Sequence, residues 1–538
     1  MKFGYKDIIL VTILFMVTFF VWTQPLHENH GPFGEGDSAW HFANGDPQYQ
    51  MDKSTTMMPH FISIWYYNLS SLGPDVPEYP PPNHLNYALM QIGGGERILS
   101  PFIYIALTCA LGVFTTFFLV RRLFGTWQAF IAGFGLIFSM REVMLYLWGQ
   151  RPTMVSFVFI PMILYCLYMY FHGYYAKKEK PIYLYLLVLL IGGQFLLHIQ
   201  GSVVTFLVAV GFMGLMLLKY RKFPVSKRNA KHMSIALVVL LVIILPFAPI
   251  YYGLELGEAS GVKAPLSFLF KWAPPSNTFQ GSYPPSYADT HNHYPSVLLF
   301  LVILGLGITV YRRKDRDLLL LGWLFGIYIA FHFNVILGTS GPRIVRMLVA
   351  EPPLFFALIG VGLIGGVSML PIKKQFKSWA KVLVVVLFVV LILQVKAPEV
   401  NQTLSGAYGG LGRLTPQQIE AANWILNSDI PEGAFIYNEG TLTFPKARWF
   451  LALSNRHVAQ WYGARRNLST IKYEPGEEYF IFDYSDLAYL QENPQYAEEI
   501  RKAQNLEEHN FKDIRPLYNA NNIRIYKVGD RLEAPNET

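Results

Sequence analysis

Long apolar runs most strongly constrain the fold of this 538-residue chain. Several runs exceed the roughly 18 apolar residues that an α-helix needs to cross the hydrocarbon core of a bilayer. The chain is 52% hydrophobic and only 15% charged, which is too apolar for a soluble protein. The fold class expected from this pattern is mainly α, a polytopic α-helical membrane protein with about 11 transmembrane helices. The predicted spans lie near residues 8–21, 101–120, 127–147, 153–170, 181–197, 201–218, 233–252, 295–311, 318–337, 347–368 and 382–395.

The basic residues indicate how these spans are oriented. Clusters such as Arg121-Arg122, the run from Lys219 to Lys231 and Arg312-Arg313-Lys314 fall in alternate loops. Because cytoplasmic loops carry an excess of Lys and Arg, the pattern predicts a multi-pass plasma-membrane protein with a cytoplasmic N-terminus and an extracytoplasmic C-terminus. The same bias accounts for the net charge of +8, so no nucleic-acid partner is predicted.

Two domains follow from this topology. Residues 1–397 are predicted to form the transmembrane domain, with a first external loop at 24–100 and a second long external loop at 254–294. Residues 398–538 are predicted to form a small extracytoplasmic α/β domain. In that domain Thr415-Pro416 is typical of a helix start, the runs 434–437, 479–482 and 523–526 favour strands, and a helix is predicted around 487–505.

The first external loop has predicted structure of its own. Residues 57–72 are aromatic and amphipathic, which favours a helix lying in the membrane interface. Residues 79–84 contain three consecutive prolines and are expected to be extended, and a second short helix is predicted to end at Gly93-Gly94-Gly95. The two cysteines, Cys109 and Cys166, lie in separate apolar runs and are expected to be buried free thiols.

An acidic motif near the start of the first loop is the strongest sign of chemistry. Glu35 and Asp37 are one residue apart, and His41 follows close to the predicted membrane surface. A carboxylate there can act as a general base on a hydroxyl group. The alternative is that both carboxylates lie in a solvated loop.

Other polar residues fall at span ends on the same predicted side of the membrane. Paired arginines can hold a phosphate through bidentate, charge-assisted hydrogen bonds, whereas a single juxtamembrane arginine is more often a headgroup anchor and a single histidine more often structural. Asp289, His291 and His293 are metal-ligand types at alternate positions, which suits a strand. The residues expected to converge with the acidic motif on one cavity include His84, Arg141, Arg151, His198, Asp289, His291, Arg343, Arg346 and Glu351.

Taken in order, these motifs resemble the GT-C superfamily of polytopic membrane glycosyltransferases. Glu35-Gly36-Asp37 is similar to the acidic motif of the first external loop in that family, and Asp37 with His41 fits its D-x-x-x-H continuation. Further similar stretches are the Tyr79 to His84 segment, Trp148 to Thr153, His198 at a span end, Pro342-Arg343, and the C-terminal domain that opens at Leu414-Thr415-Pro416.

The hypothesis that we take from the residues and the resemblance together is an inverting transfer. In it Asp37, with Glu35 and His41, is catalytic, Arg343 and Arg346 bind the donor phosphate, and substrate contacts come from His84, Arg151, His198, Asp289 and His291. A site on the outer face has no supply of nucleotide sugars, so the expected donor is a polyprenyl-phosphate-linked sugar embedded among membrane lipids. The acceptor could be a glycan, a lipid or a protein. No cofactor is expected to be required, although a divalent metal (Mg²⁺ or Mn²⁺) is possible.

Three alternatives remain at this point. One is an oligosaccharyltransferase-like protein-glycosylation enzyme, but the W-W-D-Y-G motif of that branch is represented only by Trp461-Tyr462-Gly463. Another is a transporter or flippase of a lipid-linked substrate, for which polar span ends would also be suitable. The third is a receptor-like scaffold whose C-terminal domain binds a partner.

Overall fold

The computed structural model describes residues 4–27, 31–34, 38–46, 82–245, 266–270, 272, 293–332, 335–336, 344–407, 413–431, 434–438, 442, 444–454, 456–459, 478–485 and 494–528. α-Helices make up most of these residues. In chain order the α-helices are α1 (Tyr5–Trp22), α2 (Ser38–Gly45), α3 (Pro82–Gly94), α4 (Leu99–Leu123), α5 (Thr126–Ile137), α6 (Met140–Leu147), α7 (Arg151–Phe157), α8 (Ile160–Tyr175), α9 (Ile182–Leu197), α10 (Ile199–Tyr220), α11 (Lys227–Ile244), α12 (Ser296–Arg312), α13 (Asp315–Phe331), α14 (Ile344–Met347), α15 (Glu351–Met369), α16 (Lys374–Val395), α17 (Ala397–Gln402), α18 (Pro416–Leu426), α19 (Phe444–Ser454) and α20 (Pro494–Asn510).

The helices support a polytopic α-helical membrane protein. Within the described part of the chain, six helical segments are long and apolar enough to cross a membrane, or up to seven if the bent pair α5 and α6 is one span. Shorter apolar helices cover three further predicted spans: Ile182–Leu197, Asn229–Ile244 and Ser296–Arg312. The number eleven stays a prediction, as does the orientation of the termini.

The helices are interrupted at several places where polar residues enter the bundle. The third predicted span divides into α5 and α6, which meet at an angle of 42°. Past α6, Gly149 has φ +76°, a backbone conformation that glycine adopts without a steric penalty, and α7 then begins at Arg151. Between α9 and α10 the backbone of His198 is extended (φ −166°, ψ 127°), which ends one helix and caps the next. These breaks bring charged side chains into the protein interior.

Close helix packing holds the membrane part together. α10 packs along α13, and α12 packs along α15. At Gly211 of α10, an added Cβ atom would lie 2.5 Å from the carbonyl oxygen of Gly322 in α13. At Gly305 of α12, an added Cβ atom would lie 2.0 Å from the carbonyl oxygen of Leu358 in α15. Small residues therefore allow these backbones to approach, as is usual between membrane helices.

The C-terminal part contains a five-stranded mixed sheet with strand order β2-β1-β3-β5-β4. Its strands are β1 (Phe435–Asn438), β2 (His457–Ala459), β3 (Glu478–Asp483), β4 (Tyr518–Ala520) and β5 (Ile523–Val528). Strand β1 is parallel to β2 and β3, whereas β5 is antiparallel to both β3 and β4. β1, β3 and β5 coincide with the three predicted strands. Strands β2 and β4, each of three residues, were not predicted.

The helices of the C-terminal part also compare well with the sequence expectations. Thr415 caps α18: its hydroxyl accepts a hydrogen bond from the backbone N–H of Gln418, and the Gln418 side chain returns a bond to the backbone N–H of Thr415. The helix predicted around 487–505 is described as α20, over Pro494–Asn510. Helix α19 was not predicted, and it packs against α2 of the first loop.

The first loop differs from expectation at one place. Helix α3 begins at Pro82, so His84 lies in a helix and not in an extended segment. Proline suits the first turn of a helix because no intrahelical partner is needed there for the N–H that it lacks. The end of the helix at Gly94 agrees with the prediction, whereas the interfacial helix predicted at 57–72 lies outside the described residues. Cys109 and Cys166 are buried free thiols, as expected.

Substitution of Gly211 tests the packing of α10 on α13. We expect Gly211→Ala to lower the thermal unfolding temperature of the purified protein, because the new methyl group must push Gly322 away, at a cost of about 1–3 kcal/mol. Gly214→Ala is the matched control on the same helix, since an added Cβ atom there meets nothing within 4 Å. Equal unfolding temperatures for the two variants would contradict the close approach of the helices.

Candidate active site

Five of the predicted site residues belong to the described part of the chain, and all five are buried: His41, His84, Arg151, His198 and Arg346. They come from the first loop, α7, the junction of α9 and α10, and α14. The remaining five lie outside the described residues: Glu35, Asp37, Asp289, His291 and Arg343. The functional roles of all ten stay predictions.

His41 and His84 form a direct pair. Nδ1 of His41 lies 3.0 Å from Nε2 of His84, and the rings stack with their centroids 5.3 Å apart. One of the two nitrogens must therefore donate an N–H to the lone pair of the other. Burial lowers the pKa of His84 to about 3, and burial followed by the charge of His84 lowers the pKa of His41 well below its usual value. Both imidazoles are therefore neutral at physiological pH.

The electrostatics of His41 link the other predicted residues to it. After burial and His84, electrostatic interactions with Arg151, His198 and Arg346 contribute to its lowered pKa. His198 responds in the same way, since burial followed by the charge of Arg346 lowers its pKa to about 3. The fold thus brings the five residues into one electrostatic cluster, which we call the cationic cluster.

Arg151 is the most enclosed charge of the cationic cluster. Its side chain is 1% exposed, and its guanidinium lies over the ring of Phe102, 4.6 Å from the centroid. Nη2 donates a hydrogen bond to the carbonyl oxygen of Phe33 at 2.9 Å. Nε and Nη1 have no hydrogen-bond partner among the residues that the structure describes. A buried cation with unsatisfied donors is costly, so an anion bound beside it would be strongly favoured.

His198 is fixed by its position between two helices. Its Nδ1 accepts a hydrogen bond from the backbone N–H of Gln200 at 3.2 Å and caps α10. The tautomer in which Nδ1 accepts carries its proton on Nε2. Neutral His198 therefore has its N–H donor at Nε2.

A second buried cluster lies at the start of α15. Nε of Arg141 is 3.2 Å from Oε1 of Glu351, and both side chains are fully buried. The indole N–H of Trp272 donates to Oε2 of Glu351 at 2.5 Å. Trp272 belongs to the predicted second long loop, so this network attaches that loop to the bundle. Arg141 and Glu351 were predicted as charged residues at span ends, but no sequence pattern pairs them.

The acidic motif is bracketed by described residues. Gly34 precedes Glu35 and has φ +106°, while Ser38 follows Asp37 and opens α2. A Cβ atom at Gly34 would lie 2.2 Å from Oγ of Ser38, so the two flanking residues touch. Glycine is required at this position because of both its conformation and this close approach.

A set of residues around the motif was not found from the sequence. The indole N–H of Trp449 donates to the carbonyl oxygen of Gly34 at 2.9 Å. Beyond α2, Arg97 forms an ion pair of 2.7 Å with buried Asp46 and also donates to the carbonyl oxygen of Leu453 at 3.1 Å. Trp449 and Leu453 belong to α19, more than 300 residues away in the chain. No local sequence pattern predicts such contacts.

His, Cys, Asp and Glu side chains are the groups that could bind a metal ion. Among the described residues, no group of three or more His, Cys, Asp and Glu side chains is arranged to hold a metal ion. Nδ1 of His41 and Nε2 of His84 share one hydrogen bond, which uses the N–H of one ring and the lone pair of the other. Dependence on Mg²⁺ or Mn²⁺ stays a prediction.

The burial of the histidines predicts that acid destabilises the protein. The unfolded chain binds protons on these histidines as the pH falls below about 6.5, whereas folded His84 stays neutral down to a pKa of about 3. Stability should therefore be complete above pH 6.5 and fall through the window between the two pKa values, by about 2 kcal/mol for His84 at pH 5. We expect His84→Gln to show a smaller drop in unfolding temperature between pH 7 and pH 5 than the wild type.

The matched control for this prediction is His509→Gln, because His509 is exposed on α20. It should keep the full acid sensitivity of the wild type. The assignment of a neutral buried imidazole would be wrong if His84→Gln and His509→Gln lost the same amount of stability on acidification.

Comparison with known proteins gives structural matches only. No family model and no curated protein sequence matches the chain. The apo oligosaccharyltransferase of Archaeoglobus fulgidus matches with a TM-score of 0.56 at 13% identity, over 89% of this chain and 70% of that one. Apo ArnT of Cupriavidus metallidurans matches with a TM-score of 0.55 at 14% identity, over 96% of this chain and 97% of that one. ArnT bound to undecaprenyl phosphate matches with a TM-score of 0.51 at 14% identity and the same coverage.

These matches extend over most of the chain, from the membrane helices into the C-terminal part. At this low sequence identity, the matches show the fold of the chain but not its chemistry. The apolar helices and the C-terminal sheet therefore combine into one recognisable architecture: this chain has the fold of the archaeal oligosaccharyltransferase and of ArnT, in agreement with the distant GT-C resemblance of the sequence.

Proposed function

We propose that the protein is a membrane glycosyltransferase that moves a sugar from a polyprenyl-phosphate-linked donor to an acceptor hydroxyl at the outer face of the membrane. The observation that carries this proposal is the cationic cluster, a buried group of arginines and neutral histidines in which Arg151 bonds to Phe33, two residues before Glu35 in the chain. The structural neighbours with the same fold are an archaeal oligosaccharyltransferase and ArnT, and one structure of ArnT contains bound undecaprenyl phosphate. The proposed donor has the same chemical character as that ligand.

The charge balance of the cationic cluster suits a lipid phosphate. Arg346 and Arg151 are buried, and two nitrogens of Arg151 lack hydrogen-bond partners among the described residues. A phosphate accepts several charge-assisted hydrogen bonds from guanidinium groups, and it gains more from them away from water. We propose that Arg346, together with Arg343, binds the donor phosphate, and that Arg151 and His198 contribute further donors.

The proposed reaction is an inverting displacement. Asp37, assisted by Glu35, removes the proton from the acceptor hydroxyl, and the acceptor oxygen forms a bond to the anomeric carbon. The bond from that carbon to the phosphate oxygen breaks, and its electron pair leaves with the polyprenyl phosphate. Negative charge grows on the departing phosphate during this step, so a preorganised arginine stabilises the transition state more than the ground state.

Neutral histidines fit this scheme better than charged ones. His41 and His84 are held neutral by burial, so they add no positive charge that would bind Asp37 as a static ion pair. A base trapped in such a pair would have a depressed pKa and would remove a proton poorly. We propose that His41 and His84 orient the acceptor or the sugar through hydrogen bonds and leave the carboxylate available.

Transfer of labelled sugar tests the proposal directly. Purified protein in lipid nanodiscs would receive radiolabelled polyprenyl-phosphate hexose and pentose donors together with glycan, lipid and peptide acceptors. We expect Asp37→Asn to lower kcat by about 10²–10⁴-fold, because it removes the base. Arg346→Gln should lower kcat by about 10²–10³-fold, because it removes stabilisation of the leaving phosphate.

Matched substitutions at exposed positions provide the controls. Asp513→Asn and Arg501→Gln change the same chemical groups on the C-terminal part, away from the cationic cluster, and should keep wild-type rates. Wild-type transfer by Asp37→Asn would refute the assignment of the base. If labelled lipid crossed the bilayer of proteoliposomes without transfer to any acceptor, the transporter alternative would replace the enzyme. Addition of EDTA to the wild-type reaction tests metal dependence in the same assay.

A further inference from the structure

The backbone that leads into the acidic motif is held from two sides. On one side, Nη2 of Arg151 donates to the carbonyl oxygen of Phe33 at 2.9 Å. On the other, the indole N–H of Trp449 donates to the next carbonyl oxygen, that of Gly34, also at 2.9 Å. Two consecutive peptide groups therefore have fixed directions immediately before Glu35. One of the two donors comes from the membrane bundle and the other from α19 of the C-terminal part.

The surroundings of Trp449 show that this hydrogen bond is built into the fold. Its side chain is fully buried, and its ring packs 5.7 Å from that of Phe42 and 5.8 Å from that of Phe102. Phe42 belongs to α2, and Phe102 also lies under the guanidinium of Arg151. Few alternative positions are open to the indole, so its N–H direction is set by packing.

The two described residues that flank the motif are in contact. Gly34 and Ser38 approach so closely that a Cβ atom on Gly34 would overlap Oγ of Ser38. The hydrogen bond from Trp449 to Gly34 is therefore made directly beside Ser38, the first residue of α2.

A second contact ties the other end of α2 to the same helix α19. Asp46, directly after α2, is paired with Arg97, whose Nη2 also donates to the carbonyl oxygen of Leu453. The C-terminal part therefore holds both ends of α2, the helix that follows the acidic motif and carries His41.

We propose that Trp449 is a positioning residue, which holds the Gly34 peptide so that the carboxylates of the following motif face the acceptor. This inference rests on the proposed function of Asp37 and Glu35. In this proposal, a residue of the C-terminal part contributes directly to the chemical step. Positioning errors of about 1 Å can lower a rate by roughly 10²-fold, so one remote hydrogen bond can control turnover.

The test compares three variants of the full-length protein in nanodiscs. Trp449→Phe keeps an aromatic ring against Phe42 and Phe102 but removes the N–H donor. Trp424→Phe is the matched control, because Trp424 lies in the same part of the chain and packs on Tyr518, 5.1 Å between ring centroids, instead of on the first loop. Asp37→Asn reports on the proposed function independently.

Kinetics provide the first readout. We expect Trp449→Phe to lower kcat by about 10–100-fold while KM for the lipid donor changes less than about threefold, because donor binding stays intact and the base is misplaced. Trp424→Phe should match the wild type in both constants. Equal kcat for the two tryptophan variants, with Asp37→Asn inactive, would overturn the positioning role and leave the proposed function standing.

Hydrogen exchange provides a readout that does not depend on activity. Peptides covering residues 31–46 should exchange at least about tenfold faster in Trp449→Phe than in Trp424→Phe. Without the indole N–H, the segment can open locally without the loss of a hydrogen bond to residue 449. Unchanged exchange would overturn the inference. Full activity of Asp37→Asn would instead overturn the proposed function, and the exchange data would still decide whether Trp449 orders this segment.

A shape-preserving replacement guards against general misfolding. Incorporation of benzothienylalanine at position 449 keeps the bicyclic ring and replaces only the N–H by sulfur. If Trp449→Phe fails to fold, this replacement should still give the same loss of kcat and faster exchange. Wild-type kinetics and exchange with this residue would refute a role for the N–H.

Discussion

The cost of burying positive charge governs the centre of this molecule. A guanidinium group withdrawn from water needs an anion and hydrogen-bond acceptors to offset its lost hydration. Two other arginines in the bundle have a carboxylate partner within the chain: Arg121 makes two hydrogen bonds to the carboxylate of Asp7, and Arg141 lies 3.2 Å from Glu351. Arg151 is satisfied differently, by a backbone carbonyl and two aromatic rings, with two nitrogens left over among the described residues.

The neutral histidines follow from the same constraint. With Arg151 and Arg346 already buried nearby, a further proton on His41, His84 or His198 would add like charge in a poorly solvated region. The three imidazoles therefore stay neutral and act as hydrogen-bond groups. In the proposed function, the phosphate of a membrane lipid would bind beside the arginines of this cluster. Arg121 and Arg141, which pair with carboxylates of other helices, instead connect those helices.

The positions of these side chains depend on interrupted helices. A continuous helix through residues 126–147 would be straight. The 42° bend between α5 and α6 instead gives the polar residues of α6 a different direction. The Gly149 turn then starts α7 at Arg151, and the extended His198 separates α9 from α10. Each interruption exposes backbone groups that need partners, which is tolerated within a membrane protein only where protein or a polar cavity surrounds them. The C-terminal part supplies some of that enclosure through Trp449 and Arg97.

The sequence by itself determined the membrane class, the places of most helices, the Thr415 cap, three of the strands and the residue types of the site. These features depend on local hydrophobic runs, short-range capping and alternation, which a chain displays without reference to its fold. Only the tertiary structure decided that His41 pairs with His84, that Arg141 pairs with Glu351, and that Trp449 reaches Gly34 across 415 residues. The short strands β2 and β4 also depend on neighbours, since three residues carry too little pattern to be read alone. Such contacts are chosen by packing among elements distant in the chain, and no local pattern encodes them.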